Sequence, residues 1–476
     1  MIDWEAQTLA RAAHAELVRS PTGAYAGTGP RAASVDSRSI AAGELFVGLP
    51  GERADGGRFA AQALRAGAWG ALVTPAHASA AIAAGSDGAV LVHDDPLVAL
   101  QGLARAWRQE LGARGARVVA ITGSTGKTST KDILAALLGA QLRTAASPQN
   151  LNTEIGLPLA ILAAGGDSQA LVLEMAMRGA GQIAQLTAIA QPDVGVIVNV
   201  GPAHLAQLGS LAAIAAAKAE LIAGLAPGAS AVIPAGEPLL APHLRADLHT
   251  LTFGEGGDVR LIERRQDGRV LICHADAEIE LWPSFAQAHN LRNLLAAVAA
   301  ARALHITPGG RLEVSFSAMR GQRHVLAGGV VVIDDCYNAN PMSMRAAIDE
   351  LVQTADGRTV AVLGDMLELG EQAPELHRQI GQHARERGVD LLVTVGPLAG
   401  EMGGAFAGDA HSAPDAQAAV GLLGGLLREG DTVLVKGSRG VGLERVVSAL
   451  CGAQEAGAES ADGRRALAGG AGPGRR

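Results

Sequence analysis

Short runs of β-branched and aliphatic residues recur along the chain, and Ala/Leu-rich stretches with helical periodicity separate them. The clearest runs are Val118–Ile121, Leu171–Leu173, Val194–Val198, Val330–Ile333, Val360–Leu363, Leu391–Val393 and Val433–Val435. Alternation of this kind predicts parallel sheets covered by helices. There are too many strands for one comfortable sheet. A break is expected near Glu313, after the helix-like Asn293–Leu304 and the breaker Thr307-Pro-Gly-Gly310. Residues 1–97 differ, with short segments and frequent glycine, and are expected to form a separate α/β domain. The predicted organisation is therefore 1–97, 98–312 and 313–454. A Gly/Ala/Arg-rich stretch, 455–476, follows with no apolar period and is expected to be a disordered tail.

Composition narrows the class. Aromatics are only 3% of the 476 residues against 48% apolar overall, so the cores must be built from Ala, Leu and Val. A net charge of −8 argues against a nucleic-acid partner, because phosphate backbones are met by basic patches. The three cysteines, Cys273, Cys336 and Cys451, are far apart and have no metal spacing, which fits a reducing cytoplasm. The N-terminal stretch carries acids and lacks a continuous apolar core, so no signal peptide is expected. No uncharged apolar stretch is long enough for a membrane span.

The sharpest chemical signal is Thr122-Gly-Ser-Thr-Gly-Lys-Thr-Ser-Thr130, set between an apolar run and a helix-like segment. It is shorter than a standard Walker A loop, since Ile121 stands where the first glycine would be. Gly123, Ser124, Thr125, Gly126, Lys127, Thr128 and Ser129 can still surround phosphate oxygens at a helix N-terminus. Lys127 supplies a point charge for the β and γ phosphates, and the Thr128 hydroxyl can reach Mg²⁺. The plainer alternative is a glycine turn with a solvated lysine. Three further residues follow in order. Glu174 ends one strand, His204 lies after the next, and Lys218 sits on a predicted helix from Leu211 to Leu225. A carboxylate and an imidazole at neighbouring strand ends could hold Mg²⁺. Singly, each reads more readily as a surface acid, a capped loop histidine or a solvated lysine, and their value lies in their joint order after the glycine loop.

Taken together, these residues resemble the Mur ligases, ATP-dependent enzymes that extend the peptide of a bacterial cell-wall precursor. The family loop T-G-[ST]-x-G-K-[TS] matches Thr122–Thr128, and Glu174, His204 and Lys218 follow as in the family. The resemblance implies three α/β domains. The central one is a P-loop ATPase-like parallel sheet and the C-terminal one is Rossmann-like. ATP and Mg²⁺ are the implied cofactors. Thr128, Glu174, His204 and Lys218 are the implied metal residues, Lys218 as a carbamate. Lys127, His204, Lys218 and Arg323 are implied to be catalytic. Asn293, in His289-Asn-Leu-Arg-Asn293, is implied to meet adenine, Arg323 the nucleotide phosphates and Asp335 the ribose.

The remaining blocks point to a branch of the family. Val35–Glu52 resembles the segment that binds the UDP part of the substrate in the two later ligases, with Ser37 and Arg38 as polar contacts. Where that segment continues D-G-H, this chain reads Asp55-Gly56-Gly57, which leaves no histidine at position 57. The D-N-P-R block of the diamino-acid-adding member is missing. Gly364–Gly370, His377 and Val435-Lys-Gly-Ser-Arg439 instead resemble the member that adds a dipeptide, and Asn150 and Asn152 fit as substrate contacts. The implied substrates are UDP-MurNAc-tripeptide and D-Ala-D-Ala. A monomer with no membrane span is expected. The rivals are another amide ligase of the superfamily, such as the diamino-acid-adding enzyme, and a P-loop switch ATPase.

Overall fold

The computed structural model describes residues 4–52, 54–148, 150–275 and 277–452, and counts below refer to these. The expected tail at 455–476 lies outside them. The described residues form three sheets. The first contains β1 (Glu16–Arg19), β2 (Ala33–Ser34), β3 (Leu45–Val47), β4 (Gly70–Val73) and β5 (Ala89–Val92), in the order β1-β5-β4-β3-β2. Only β1 runs antiparallel to its neighbour.

The second sheet is built around β6 (Arg117–Thr122), β7 (Thr144–Ala146), β8 (Ala170–Glu174) and β9 (Val194–Ile197). It continues through β10 (Ser230–Pro234), β11 (His249–Phe253), β12 (Val259–Arg264), β13 (Val270–His274), β14 (Ala277–Pro283) and β15 (Gly310–Leu312). Its order is β15-β14-β13-β12-β11-β10-β9-β6-β8-β7. All pairs from β7 to β12 are parallel, and β13 is antiparallel to both neighbours. The chain visits β7 and β8 on one side of β6, then returns to place β9 on the other. Ligands bind at such a reversal, beyond the carboxyl ends of the strands.

The third sheet holds β16 (Gln322–Val325), β17 (Val331–Asp334), β18 (Thr359–Gly364), β19 (Leu391–Val395), β20 (Ala410–Ala413) and β21 (Thr432–Lys436). The order is β16-β17-β21-β18-β19-β20, parallel except for β16. Its strands show why a doubly covered sheet reads as a continuous apolar run. Val360 and Val362 pack into one core while Ala361 and Leu363 pack into the other. Val433 and Val435 divide from Leu434 in the same way. Period-two alternation therefore separates two buried faces rather than a buried face from a wet one.

The chain divides into two compact units. One contains the first two sheets, and the other holds residues 201–211, 287–289 and those from Phe316 onward. The break after Ser315 falls close to Glu313.

Candidate active site

The loop after β6 is shaped by sterics before any ligand is considered. Gly126 has φ +74° and begins the helix Lys127–Gly139. A Cβ at that position would lie 2.5 Å from Asn293 Oδ1, so both backbone and space require glycine. Asn293 thus packs directly on the loop. Its amide also donates to Asn290 Oδ1 at 3.3 Å.

β8 and β9 flank β6 and bring one polar residue to each side of the loop. On the β9 side, Asn199 Oδ1 accepts the Ser124 and Thr125 N–H groups at 3.0 and 2.9 Å. Its amide donates to the Thr125 carbonyl and hydroxyl at 3.1 and 2.9 Å. Asn199 therefore buckles the loop into shape. Sequence reasoning missed it. The available signal was an amide two residues beyond the strand adjacent to a glycine loop. Lys127 folds back, donating from Nζ to the Gly123 carbonyl at 2.9 Å.

On the β8 side, the Thr128 hydroxyl donates to Glu174 Oε2 at 2.8 Å, and Asn152 Nδ2 donates to Oε1 at 2.9 Å. Thr128 and Glu174 are both buried. The reading of Glu174 as a surface acid is thereby corrected: β8 ends inside the fold, and two side chains donate hydrogen bonds to its buried carboxylate. Asn152, expected at the substrate, is held on this carboxylate. Asn150, at φ +71°, is exposed.

Lys218 is also no solvated helix residue. It lies on the helix Leu211–Ala223, is 1% exposed, and has no hydrogen bond or ion pair among the described residues. Burial holds its amine well below the ordinary lysine range, and the nearby Lys127 charge adds to this. A lowered amine pKa makes the nitrogen lone pair more available, which fits conversion to a carbamate. No group of three His, Cys, Asp or Glu side chains among the described residues could hold a metal. The oxygen donors that fit Mg²⁺ are the Thr128 hydroxyl and the Glu174 carboxylate, with a Lys218 carbamate as a third.

The remaining expected residues fall in the second unit or in the first sheet. His204, at φ +61°, pairs through Nδ1 with Glu368 Oε2 at 2.5 Å. Both belong to the second unit, and Glu368 is likewise left-handed at φ +64°. Arg323 leaves β16, pairs with the Thr354 hydroxyl and approaches the buried Glu350 carboxylate at 4.0 Å. Burial raises the Glu350 carboxyl above its usual range. Asp335 accepts from the fully buried Lys436 at 2.6 Å, and that lysine also donates to the Asn338 carbonyl at 3.0 Å. His377 is structural. Its Nε2 accepts the Met366 N–H at 2.9 Å and its Nδ1 donates to the Ala373 carbonyl at 2.6 Å, which fixes the Gly364–Gly370 loop. Burial holds that imidazole's pKa below the ordinary histidine range. In the first sheet, Arg38 forks onto Asp36 at 2.9 and 2.7 Å beside the half-buried Ser37.

Comparison with known proteins gives three family matches along the chain. Residues 32–108 match the Mur ligase family catalytic domain, 121–301 the Mur ligase middle domain, and 319–439 the Mur ligase glutamate ligase domain. The UDP-N-acetylmuramoyl-tripeptide–D-alanyl-D-alanine ligase of Synechocystis sp. is 38% identical over 424 residues, spanning 87% of this chain and 90% of that one. The MurF crystal structure from Acinetobacter baumannii has a TM-score of 0.81 at 30% identity and covers 94% of this chain and 98% of its own. MurF from Thermotoga maritima, solved with ADP, has a TM-score of 0.74 at 31% identity, covering 88% and 97%.

Proposed function

The chain belongs to the Mur ligase family, and from that premise we propose that it joins D-Ala-D-Ala to UDP-MurNAc-tripeptide, consuming ATP to make the pentapeptide precursor of peptidoglycan. It is an ATP-dependent amide ligase. The observation that carries the reading is the Thr128–Glu174 contact beside the glycine loop, together with a buried amine, Lys218, that has no hydrogen-bond or ion-pair partner among the described residues.

A carboxylate does not condense with an amine in water, because oxide would have to leave. Here a terminal carboxylate oxygen of the tripeptide attacks the γ-phosphorus of ATP, and the bond to the β-bridging oxygen breaks. The amine of the dipeptide then attacks the acyl carbon. A C–N bond forms, the C–O bond to phosphate breaks, and the amine proton passes to solvent. Two anions are forced together in the first step, so charge stabilisation matters more than a protein nucleophile. Lys127 swings from the Gly123 carbonyl to the phosphoryl oxygens. Bound Mg²⁺ would supply positive charge to offset that of the phosphate oxygens. Thr128, Glu174 and a carbamylated Lys218 would hold it, with His204 as a further ligand assigned from the family resemblance. Asn293 meets adenine, and Asn199 holds the shape of the loop. From the same resemblance, Arg323 and Asp335 are assigned to the nucleotide phosphates and ribose. Ser37, Arg38, Asn150 and Asn152 are assigned to the UDP-sugar peptide. The proposed domains are 1–97 for the UDP end, 98–312 for ATP and 313–454 for the dipeptide. A monomer in the cytoplasm completes the reading, and no helix among the described residues is long and apolar enough to cross a membrane.

The test is phosphate release with ATP and Mg²⁺, omitting each substrate in turn, with mass detection of the product. Release that needs both substrates and yields the pentapeptide supports the proposal. Release with ATP alone would favour a switch ATPase. Release only with a diamino acid and the dipeptide precursor would move the enzyme one step earlier.

A further inference from the structure

The Asp55-Gly56-Gly57 stretch has no side chain at position 57, yet the space above it is filled. A Cβ built on Gly57 would lie 2.2 Å from Cδ2 of His77. His77 comes from a different element, the helix Pro75–Ile82 that follows β4. Its Nε2 bonds Asp55 Oδ2 at 2.8 Å, while Asp55 Oδ1 accepts the Gly57 N–H at 2.9 Å. One carboxylate thus fixes both the glycine turn and the imidazole laid over it.

Three features point to a ligand at this imidazole. First, β3 and β4 are parallel neighbours, so the 48–57 loop and the start of the His77 helix leave the same carboxyl edge of the sheet. Second, Ser37 and Arg38 follow β2, the parallel neighbour of β3, at that same edge. Third, His77 Nδ1 makes no hydrogen bond among the described residues, and the side chain is 21% exposed. Nδ1 is therefore open to solvent or to a ligand. In a ring that carries both protons, Nδ1 is a donor suited to an anion.

We propose that His77 binds the diphosphate end of the UDP-sugar substrate, delivering from the β4 side an imidazole that Gly57 makes room for. This deepens the ligase reading and rests on it. The pairing of a bare Gly57 with a histidine from the next element makes the site depend on both positions at once. A histidine placed at 57 in this chain would collide with His77.

The experiment measures calorimetric affinity for UDP-MurNAc-tripeptide and for UDP alone, without ATP, in the full chain. Steady-state KM for each substrate follows. His77→Ala, and His77→Phe, which keeps ring volume over Gly57, should each weaken both ligands roughly tenfold or more. The KM values for ATP and D-Ala-D-Ala should stay unchanged. Gly57→His combined with His77→Ala should recover most of the lost affinity. A purely structural pin would instead lower the melting temperature of His77→Ala, leave affinity within twofold and give no rescue, and that outcome overturns the proposal. Wild-type protein that bound no UDP ligand would sink this proposal and the ligase reading together. Wild-type binding with unaffected variants would sink this proposal alone.

Discussion

Two sheet edges in the same unit solve the problem of presenting polar groups in different ways. At the end of β6 and β8, Thr128, Glu174 and Lys218 are buried, and the first two touch each other. At the end of β2, Arg38 is 85% exposed and spends its guanidinium on Asp36, two residues away. The first edge carries groups whose electrostatics are strong because water is excluded. The second carries groups that water screens and that neutralise one another. Chemistry is expected to concentrate at the first edge and recognition at the second, and substitutions should separate them.

The largest effect should come from Lys127→Ala. Nothing else on the loop replaces its charge at the transferring phosphoryl group, so kcat should fall by about 10³-fold or more. Phosphate release under saturating substrates checks this. A loss below tenfold would mean that Lys127 stays on the Gly123 carbonyl throughout.

Lys218→Met should abolish turnover to a similar degree yet stabilise the protein. An amine buried without an anion has its folded pKa depressed, so between that value and the ordinary lysine value the unfolded chain binds the extra proton. Stability then rises with pH across that window and is reduced at neutral pH. Methionine removes the cost and fills the volume. The expected gain is on the order of 1–4 kcal/mol in CO₂-depleted, metal-free buffer, read by denaturant unfolding. The pH dependence of stability across that window should flatten in the variant. A destabilised variant would mean that the amine has an anionic partner in solution.

Asn199→Ala should come next, because it strips four hydrogen bonds from Ser124 and Thr125 while removing no charge. We expect kcat/KM for ATP to drop roughly 10- to 100-fold and the D-Ala-D-Ala KM to change little. This residue also shows what was legible in the sequence. The alternation of apolar runs foretold β6, β8 and β9 of the second sheet and β17, β18, β19 and β21 of the third but none of their other strands, and a loop of glycine, lysine and threonine pointed to a phosphate cradle between β6 and the helix that follows it. Such signals are local. The buckle of Asn199 over the loop depends on β9 lying beside β6, and the His77 ring over Gly57 depends on β4 lying beside β3. Those pairings are set by tertiary register, which no window of residues contains. The burial of Lys218 was equally hidden. A lysine among alanines on a helix reads as solvated until the neighbouring strands are known. Glu174 carries the same lesson, since the end of a strand is a wet place in most sheets and a dry one at this reversal.

The smallest effect should be at the exposed edge. Asp36 titrates at about 2 because Arg38 hydrogen-bonds its carboxylate, first through the side chain and then through the backbone N–H. Arg38→Ala removes the side-chain part, so Asp36 should titrate closer to the ordinary carboxylate range, as read by carbon NMR of its carboxyl group. The sign follows from the depressed folded value. Whatever the pair contributes is present above the ordinary aspartate pKa and disappears as pH falls toward 2. Because both groups are in water, neutral-pH stability should not move measurably. If Arg38 releases Asp36 to take the UDP end of the substrate, KM for UDP-MurNAc-tripeptide should rise no more than about tenfold with kcat intact, since one partner is exchanged for another. A fall in kcat comparable to that of Lys127→Ala would break the division between the two edges, because it would place an exposed, self-paired arginine in the chemistry.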